Sequence, residues 1–377
     1  MKKLVFLTGT RADFGKIKSL IRIIELNNNY RCHIFATGMH LNPVYGSTVQ
    51  EIYKSGFSNV YEFANHQTHE HSNMDITLSK TISGFSNYIK DLSPDLIIIH
   101  GDRVETLAGA IVGSLNNILT AHIEGGELSG TIDDLIRHSV SKLSHVHFVS
   151  NKKAEKRLIQ MGELSESIFV IGSPDLDLMN SRLLPDLEKV KSRYEINFEQ
   201  YAIVILHPVT TEVEYLKKQT ETFFEVIEKS SKNYIVIYPN NDLGNEIIIE
   251  RIKKIQSERI KVFSSIRFEY FLTLLKNSLF IIGNSSTGIR EASYFSVKCI
   301  NVGSRQSNRS SSKHIVNVNF ETNTLSNSID EINKTSFHSN LNLNEEFGNG
   351  NSDILFSEVL HSQKFWQTKI QKKFQDI

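Results

Sequence analysis

Several groups of polar residues directly follow apolar runs of this sequence, and their side chains are of types that bind anions and move protons. The densest group is His122-Ile123-Glu124-Gly125-Gly126-Glu127, followed by Asp133 and Asp134. Two or three carboxylates around one cavity suit proton removal and delivery, because crowding drives their pKa values apart. Asp133 and Arg137, like Asp134 and His138, are also spaced as i,i+4 pairs, so surface ion pairs on a helix are the alternative interpretation.

A second carboxylate candidate stands in His100-Gly101-Asp102-Arg103, directly after the apolar run Leu96–Ile99. Ligands of parallel sheets collect at the carboxyl ends of the strands, where Asp102 would then lie. Arg103 could pair with Asp102 or bind a phosphate. In the alternative interpretation Asp102 is the N-cap of a helix that begins at Arg103 or Val104.

Two glycine-containing segments have the donors that a phosphate needs. Residues 9–16, Gly9-Thr10-Arg11-Ala12-Asp13-Phe14-Gly15-Lys16, precede a helical pattern and carry the permanent charge of Arg11. They form neither a Walker loop nor GxGxxG, so an ordinary turn with a solvated arginine is the alternative. Residues 283–291, from Gly283 through Ser285 and Ser286 to Glu291, place hydroxyl groups at a strand-to-helix junction. Glu291 could accept hydrogen bonds from a ribose, and an N-cap serine cluster without a ligand is the alternative.

The second half of the chain contains three more candidates at predicted strand ends. His207 ends one apolar run, Asn240 follows the next, and Arg305 follows Val302-Gly303-Ser304. Arg305 is a further candidate phosphate contact. A structural histidine and an Asx turn are the alternatives for His207 and Asn240.

The elements that position these residues alternate between short β-rich runs and amphipathic helical patterns along the whole chain. Such repetition predicts an α/β protein with two Rossmann-like, doubly wound domains. We place the first domain at 1–173 and the second at 174–353, with a carboxyl-terminal helix within 354–377 that packs back on the first. The charged segment Asp175–Asn197 is predicted to bridge the two halves.

Bulk properties exclude several classes of protein. The 377 residues contain 42 Lys plus Arg and 42 Asp plus Glu, so no overall charge favours nucleic acid or an anionic membrane. No apolar run approaches the roughly 20 residues of a membrane span, and two distant cysteines fit a reducing cytoplasm. No HExxH or thiolate pair supports a metal site. The polar segment His66–His71 has close histidine spacing, but we interpret it as a solvated loop.

The ordered blocks TGTRADFGK, HGDRVETLAGA, HIEGGELSGTIDDLIRHSVSKLSH, HPVTTE, YPNND, GNSSTGIREA and GSRQSNR together resemble one known family. It is the hydrolysing UDP-N-acetylglucosamine 2-epimerases of sialic acid biosynthesis, in particular the bacterial capsule enzymes. The blocks span Thr8 to Arg309, and the block from His122 to His145 is highly specific.

The resemblance implies a GT-B-like pair of domains with the active site in the interdomain cleft. It implies that UDP-N-acetylglucosamine and water become N-acetylmannosamine and UDP, with no cofactor and no metal. The positions that match the family's catalytic set are Asp102, Glu124, Asp133 and His207. The positions that match its UDP contacts are Arg11, Arg103, His207, Asn240, Ser285, Ser286, Glu291 and Arg305. Gly15 stands where some relatives have a nucleotide-contacting serine, and it has no side chain to donate.

The resemblance also implies a homodimer or homotetramer, and it leaves alternatives open for the substrate. A sister hydrolysing epimerase would act on UDP-2,4-diacetamido-2,4,6-trideoxyglucose for legionaminic acid. A GT-B glycosyltransferase would bind the same nucleotide but pass the sugar to an acceptor. A non-enzymatic sensor would bind a UDP-sugar without turnover.

Overall fold

A computed structural model describes residues 1–65, 73–129, 132–179, 184–306, 314–332, 347–373 and 375. The chain divides into two compact units. Unit 1 comprises Met1–Leu128, Asp133–Ser181 and Asn344–Ile377, and unit 2 comprises Ser129–Ile132 and Arg182–Leu343. None of the helices in these described ranges is both long and apolar enough to cross a membrane.

Unit 1 is built on a seven-stranded sheet in which all pairings are parallel, with the order β3-β2-β1-β4-β5-β6-β7. Every residue of β4 and β5 is buried, as expected for apolar strands that helices cover on both faces. The strands are β1 Lys2–Thr8, β2 Tyr30–Ala36, β3 Val60–Glu62, β4 Leu96–His100, β5 Leu119–Ile123, β6 Val146–Val149 and β7 Ile168–Val170.

Two helices of unit 1, Arg11–Glu25 and Lys152–Gln160, begin after a residue whose side chain caps the first turn. In the first helix, the Thr10 side chain accepts a hydrogen bond from the Asp13 amide at 3.0 Å, and Ile17, Ile21 and Ile24 are buried. The helices are α1 Arg11–Glu25, α2 Gln50–Lys54, α3 Met74–Leu92, α4 Val104–Leu115, α5 Ile132–Leu143, α6 Lys152–Gln160 and α7 Asp175–Met179.

Unit 2 repeats this architecture with six strands in the order β10-β9-β8-β11-β12-β13, again with parallel pairings only. Its strands are β8 Ala202–Ile205, β9 Tyr234–Ile237, β10 Ile260–Phe263, β11 Phe280–Gly283, β12 Lys298–Val302 and β13 Ile315–Val318. Its helices are α8 Leu187–Arg193, α9 Val213–Lys229, α10 Asn245–Lys253, α11 Phe268–Lys276, α12 Glu291–Tyr294 and α13 Thr322–Glu331. The predicted α/β class with two doubly wound domains is therefore confirmed.

The carboxyl-terminal segment belongs to the core of unit 1. Phe356 and Leu360 are fully buried there, and the Phe356 ring lies 4.8 Å from that of Phe148. The single helix predicted within 354–377 is wrong in detail. Helix α14, Ser352–His361, ends because Ser362 has extended backbone angles, and a separate short helix, α15, follows at Gln363–Trp366.

In each sheet the strand order reverses at one place, and the loops on either side of that place diverge. The reversal lies between β1 and β4 in unit 1, and between β8 and β11 in unit 2. In open parallel sheets, the carboxyl ends of the strands at such a reversal form a crevice where ligands bind. The predicted site residues follow these strand ends or those of the adjacent β5, β9 and β12.

Candidate functional site

Glu124 lies just after β5 in an uncommon backbone conformation. Its φ is +65°, which non-glycine residues rarely adopt, and its amide donates to the Phe148 carbonyl at 2.9 Å. Two residues on, the loop packs closely against the backbone of residue 154, since a Cβ on Gly126 would lie 2.4 Å from the Ala154 carbonyl oxygen. Glu124 is only 3% exposed. Backbone strain of this kind persists only where the surroundings impose it, and it often accompanies function.

Both carboxylate oxygens of Glu124 have a partner in unit 1. The Ser173 hydroxyl donates to Oε1 at 2.7 Å, and His100 Nε2 lies 3.2 Å from Oε2. On the other side of the imidazole ring, His100 Nδ1 lies 2.8 Å from Asp13 Oδ1. The second oxygen of Asp13 accepts the Thr8 hydroxyl at 2.8 Å and the Gly9 amide at 3.0 Å. A continuous chain of polar contacts therefore runs from the end of β1 to Glu124.

His100 is cationic in this environment. Burial lowers the pKa of His100, but the carboxylates of Glu124 and Asp13 outweigh burial and raise it to about 9. The neighbouring His122 behaves in the opposite way, since burial lowers its pKa to about 3 and keeps it neutral. His122 Nε2 donates to the Gly101 carbonyl at 2.8 Å, which leaves Nδ1 to accept from the Ser141 hydroxyl at 3.0 Å.

Arg137 links the loop after β4, which contains Asp102, to the loop after β5, which contains Glu124. It is 3% exposed, donates from Nη1 to the Glu124 carbonyl at 2.6 Å, and pairs through Nη2 with Asp102. Arg137 is therefore a buried and not a surface residue, whereas Asp134 and His138 do form an i,i+4 pair at 3.6 Å. Asp133 stands one turn before Arg137 on α5.

The N-cap interpretation of Asp102 is also wrong. Helix α4 begins at Val104 with Arg103 at the N-cap position and without a side-chain cap, whereas Asp102 is drawn to Arg137 on α5. Sequence spacing favours a local cap, but the buried guanidinium offers the carboxylate a stronger, charge-assisted contact.

The cations predicted to contact phosphate lie beside carboxylates in unit 1. Arg11 Nη2 is 3.5 Å from Glu51 Oε1, and Arg103 Nε is 3.5 Å from the buried Glu105 Oε2. Arg11 is the first residue of α1, where the amide groups of the first turn also point towards the strand ends. Gly15 is buried within α1.

In unit 2, Asn284 and His207 hold two strand ends together. The His207 amide donates to Asn284 Oδ1 at 2.7 Å, and Asn284 Nδ2 donates to the His207 carbonyl at 2.9 Å. The Asn240 amide donates to His207 Nδ1 at 3.0 Å, which puts the proton of the neutral ring on Nε2. Gly283 permits the close approach, because its φ is +138° and a Cβ there would lie 1.9 Å from the Ile205 carbonyl oxygen.

The hydroxyl cluster of unit 2 follows β11 directly. Ser285 Oγ accepts from the Thr287 amide at 3.3 Å and caps a short 3-10 turn, Ser286–Gly288. Glu291 follows that turn as the first residue of α12 and is 1% exposed. Arg305 Nη1 donates to the Asn284 carbonyl at 3.4 Å, and its Nη2 lies 4.0 Å from Asp242. The serine cap, which is the alternative to an anion site here, is therefore present.

The sequence interpretation missed four residues that connect the predicted ones: Asp13, His100, Ser173 and Asn284. Signals for three of them were present. Asp13 lies inside the first glycine-containing segment, His100 is the last residue of an apolar strand, and Asn284 lies between Gly283 and Ser285. Nothing near Ser173 indicates its contact with Glu124, which is 49 residues away in the chain.

In the part of the chain that the structure describes, no three His, Cys, Asp or Glu side chains group so as to hold a metal ion. The segment His66–His71 lies outside the described residues.

Comparison with known proteins relates the whole chain to one family. The family profile described as UDP-N-acetylglucosamine 2-epimerase matches residues 22–361. The UDP-N-acetylglucosamine 2-epimerase of Neisseria meningitidis serogroup B is 45% identical over 100% of both chains. The UDP-N,N'-diacetylbacillosamine 2-epimerase (hydrolyzing) of Legionella pneumophila is 35% identical, over 84% of this chain and 85% of that one.

A solved structure supports the same relation at the level of the fold. The UDP-GlcNAc 2-epimerase of Methanocaldococcus jannaschii, in complex with UDP-GlcNAc and UDP, superposes with a TM-score of 0.78 at 22% identity. The match covers 95% of this chain and 99% of that one. With a family profile over most of its length and a relative at 45% identity over all of it, the chain belongs to the UDP-N-acetylglucosamine 2-epimerase family.

Proposed function

We propose that this protein is a hydrolysing UDP-N-acetylglucosamine 2-epimerase, which converts UDP-N-acetylglucosamine and water into N-acetylmannosamine and UDP as the first step of sialic acid biosynthesis. The Neisseria relative, which carries that name and matches the full length, supports the substrate. The observation that carries the proposal is the buried carboxylate of Glu124, with the fixed cation His100 on one oxygen and Ser173 on the other.

The chemistry explains why such a carboxylate is needed. The proton on C2 of the sugar is not next to a carbonyl, so no ordinary side-chain base removes it from the resting substrate. Loosening of the bond between C1 and the diphosphate oxygen gives an oxocarbenium-like centre, which acidifies that proton. Removal of the C2 proton then leaves 2-acetamidoglucal and UDP. Protonation of C2 on the opposite face, with addition of water at C1, gives the manno product.

We assign the proton transfers to Asp102, Glu124 and Asp133 of unit 1. Glu124 and Asp102 are linked through Arg137, and Asp133 precedes Arg137 on α5 by one turn. Arg137 also lowers the electrostatic cost of holding two carboxylates near each other.

We assign binding and stabilisation of the departing diphosphate to fixed donors, because preorganised dipoles act best on charge that develops in the transition state. In unit 2 His207, with its proton on Nε2, can donate to a phosphate oxygen, and Asn240 is tied to the same ring. The remaining candidates are Arg11, Arg103, Ser285, Ser286 and Arg305, with Glu291 as acceptor for the ribose. Gly15 would leave room at the amino end of α1.

The first test is the substitution Glu124→Gln, which keeps the size of the side chain and removes its proton chemistry. We expect turnover to fall by roughly 10²-fold or more, the usual scale for a positioned acid–base group. Glu127→Gln is the matched control, since Glu127 is also buried in this loop but accepts from Ser150 at 2.6 Å. Near-normal turnover by Glu124→Gln, measured as UDP release, would remove Glu124 from the mechanism.

The second test follows the C2 hydrogen in heavy water by proton NMR. Elimination and rehydration require solvent to supply the new C2 hydrogen, so the N-acetylmannosamine released should carry deuterium at C2. Retention of the original hydrogen would exclude this route. The same spectra identify the sugar and its configuration, and UDP release without an acceptor separates the epimerase from a glycosyltransferase. A sensor would release nothing.

A second candidate substrate is UDP-2,4-diacetamido-2,4,6-trideoxyglucose. The Legionella relative named for a UDP-diacetylbacillosamine favours it, although at lower identity than the Neisseria protein. A coupled assay of UDP release with both nucleotide sugars distinguishes the two, and the larger kcat/KM identifies the substrate. A homodimer or homotetramer in the cytoplasm remains the expectation from the family resemblance.

A further inference from the structure

The buried, charged His100 of unit 1 has no role in the proposed mechanism. His100 ends β4, is 8% exposed, and lies between the carboxylates of Asp13 and Glu124. Asp13 is itself fixed by the Gly9 amide and by the Thr8 hydroxyl. Thr8 in turn lies 3.1 Å from Nε2 of the fully buried His40. A buried network with this many defined partners restricts the orientation of each member.

We propose that Asp13 and His100 are positioning residues for Glu124: Asp13 fixes the imidazole ring through Nδ1, and the charged ring attracts Glu124 Oε2, which lies 3.2 Å from Nε2. Ser173 holds the other oxygen, so the carboxylate keeps one orientation. The inference rests on the proposed function only in taking Glu124 as the group that exchanges a proton with the substrate.

The charges around His100 decide what this arrangement does. Asp13 faces the ring from α1 and Glu124 from the loop after β5, while His122 on β5 is neutral. A further cation, Arg137 on α5, contacts the carbonyl of Glu124 and the carboxylate of Asp102. His100 therefore carries its proton at neutral pH and places a positive charge beside Glu124 Oε2. Loss of that proton above about pH 9 would remove this charge.

The first experiment is independent of turnover. Carbon-13 labelling of the histidine rings, with assignment by His100→Gln, allows the titration of His100 to be followed by NMR in the full-length protein. We expect His100 to titrate near pH 9 in the wild type. In Asp13→Asn its pKa should be lower by about 1 to 3 units, the usual effect of losing one adjacent opposite charge. The carboxamide oxygen that this substitution introduces can still accept from Gly9 and Thr8.

The second experiment measures the pH profile of kcat/KM for the same proteins. The wild-type profile should fall above about pH 9, and in Asp13→Asn this fall should move to lower pH by the shift that NMR measures. At about pH 7.5 kcat should drop by about tenfold or more, with KM changed less than about threefold, because nucleotide contacts are untouched. If Asp13 had only a structural role, Asp13→Asn would not move the fall of kcat/KM at high pH together with the His100 titration.

Thr106→Val is the matched control. Thr106 Oγ1 donates to the backbone carbonyl of His100 at 2.8 Å, so this variant removes a buried hydrogen bond to the same residue without touching the ring. It should leave both the titration and the profile in place. If Asp13→Asn does not fold, Asp13→Ser also removes the negative charge beside Nδ1 with a smaller side chain, and a shift of the His100 pKa in the same direction is expected.

A His100 that titrates near 6.5 in the wild type, or that ignores Asp13→Asn, overturns the proposal whatever the activity. The proposal is also overturned if the His100 pKa moves in Asp13→Asn while the fall of kcat/KM at high pH stays at the same pH. Full activity of Glu124→Gln would instead contradict the proposed function, and the NMR titration would be unaffected by that failure.

Discussion

Replacement of Arg137 by methionine should destabilise the protein by leaving a buried carboxylate contact unpaired. Methionine fills a similar volume but abandons two partners, the carboxylate of Asp102 and the carbonyl oxygen of Glu124. Breaking a buried ion pair from one side costs roughly 3–5 kcal/mol. The Asp102 side chain is 24% exposed, so water partly replaces the lost contact and the expected cost is about 3 kcal/mol.

The assay is thermal and urea unfolding of the purified wild type and variants. For a domain of this size, about 3 kcal/mol corresponds to a decrease of roughly 6–12 °C in the unfolding midpoint. Arg137→Lys should lose less, about 1–2 kcal/mol, because the ammonium keeps the charge but cannot contact both partners with one planar fork. We therefore expect the free energy of unfolding to decrease in the order wild type, Arg137→Lys, Arg137→Met.

The control is Arg157→Met on α6. Arg157 also donates to this loop, at 3.1 Å to the Gly126 carbonyl, but its contact there is with a neutral oxygen and not with a carboxylate. The expected cost is about 1 kcal/mol, the ordinary value of one hydrogen bond. Two results would refute the view that Arg137 links the Asp102 and Glu124 loops through a buried ion pair. One is an equal decrease in the free energy of unfolding in Arg137→Met and Arg157→Met, and the other is a decrease below about 1 kcal/mol in Arg137→Met.

Three further changes test other parts of the structure. Gly283→Ala should lower the free energy of unfolding by about 3 kcal/mol or more, because the new Cβ would lie 1.9 Å from the Ile205 carbonyl oxygen. In a urea titration, little of this variant should be folded at the start. Phe356→Ala should cost about 3–5 kcal/mol in the same titration, since Phe356 is fully buried in the core of unit 1; a loss under about 1 kcal/mol would contradict this packing. Burial raises the pKa of Glu163, but His147 and two lysines outweigh it and lower the pKa to about 2 from 4.5. The stability from Glu163 is therefore present above pH 4.5 and lost as pH falls towards 2, so wild type and Glu163→Gln should converge in urea titrations over that range, and a constant difference would speak against it.

Much of the fold could be predicted from the sequence because its determinants are local. Unbroken apolar runs such as Leu96–Ile99 indicate parallel strands, and the observed strand β4 consists of this run and His100. Gly162 has a φ of +82° just after α6, in the left-handed conformation that glycine commonly supplies at the end of a helix. The strand β2 is not apparent from the sequence, since its exposed Arg31 and half-buried His33 interrupt the apolar pattern.

The sequence by itself determined which residue types stand at the strand ends, and therefore that carboxylates, histidines and phosphate-binding groups would be found there. Only the tertiary structure decided their partners. Asp13 and His100 are 87 residues apart, and they meet because β1 and β4 are neighbours in the sheet. Arg137 pairs with Asp102, which is 35 residues away in the chain. Strand pairing is set by the burial of whole sheet faces, and it brings together side chains whose separation in the chain carries no signal of contact.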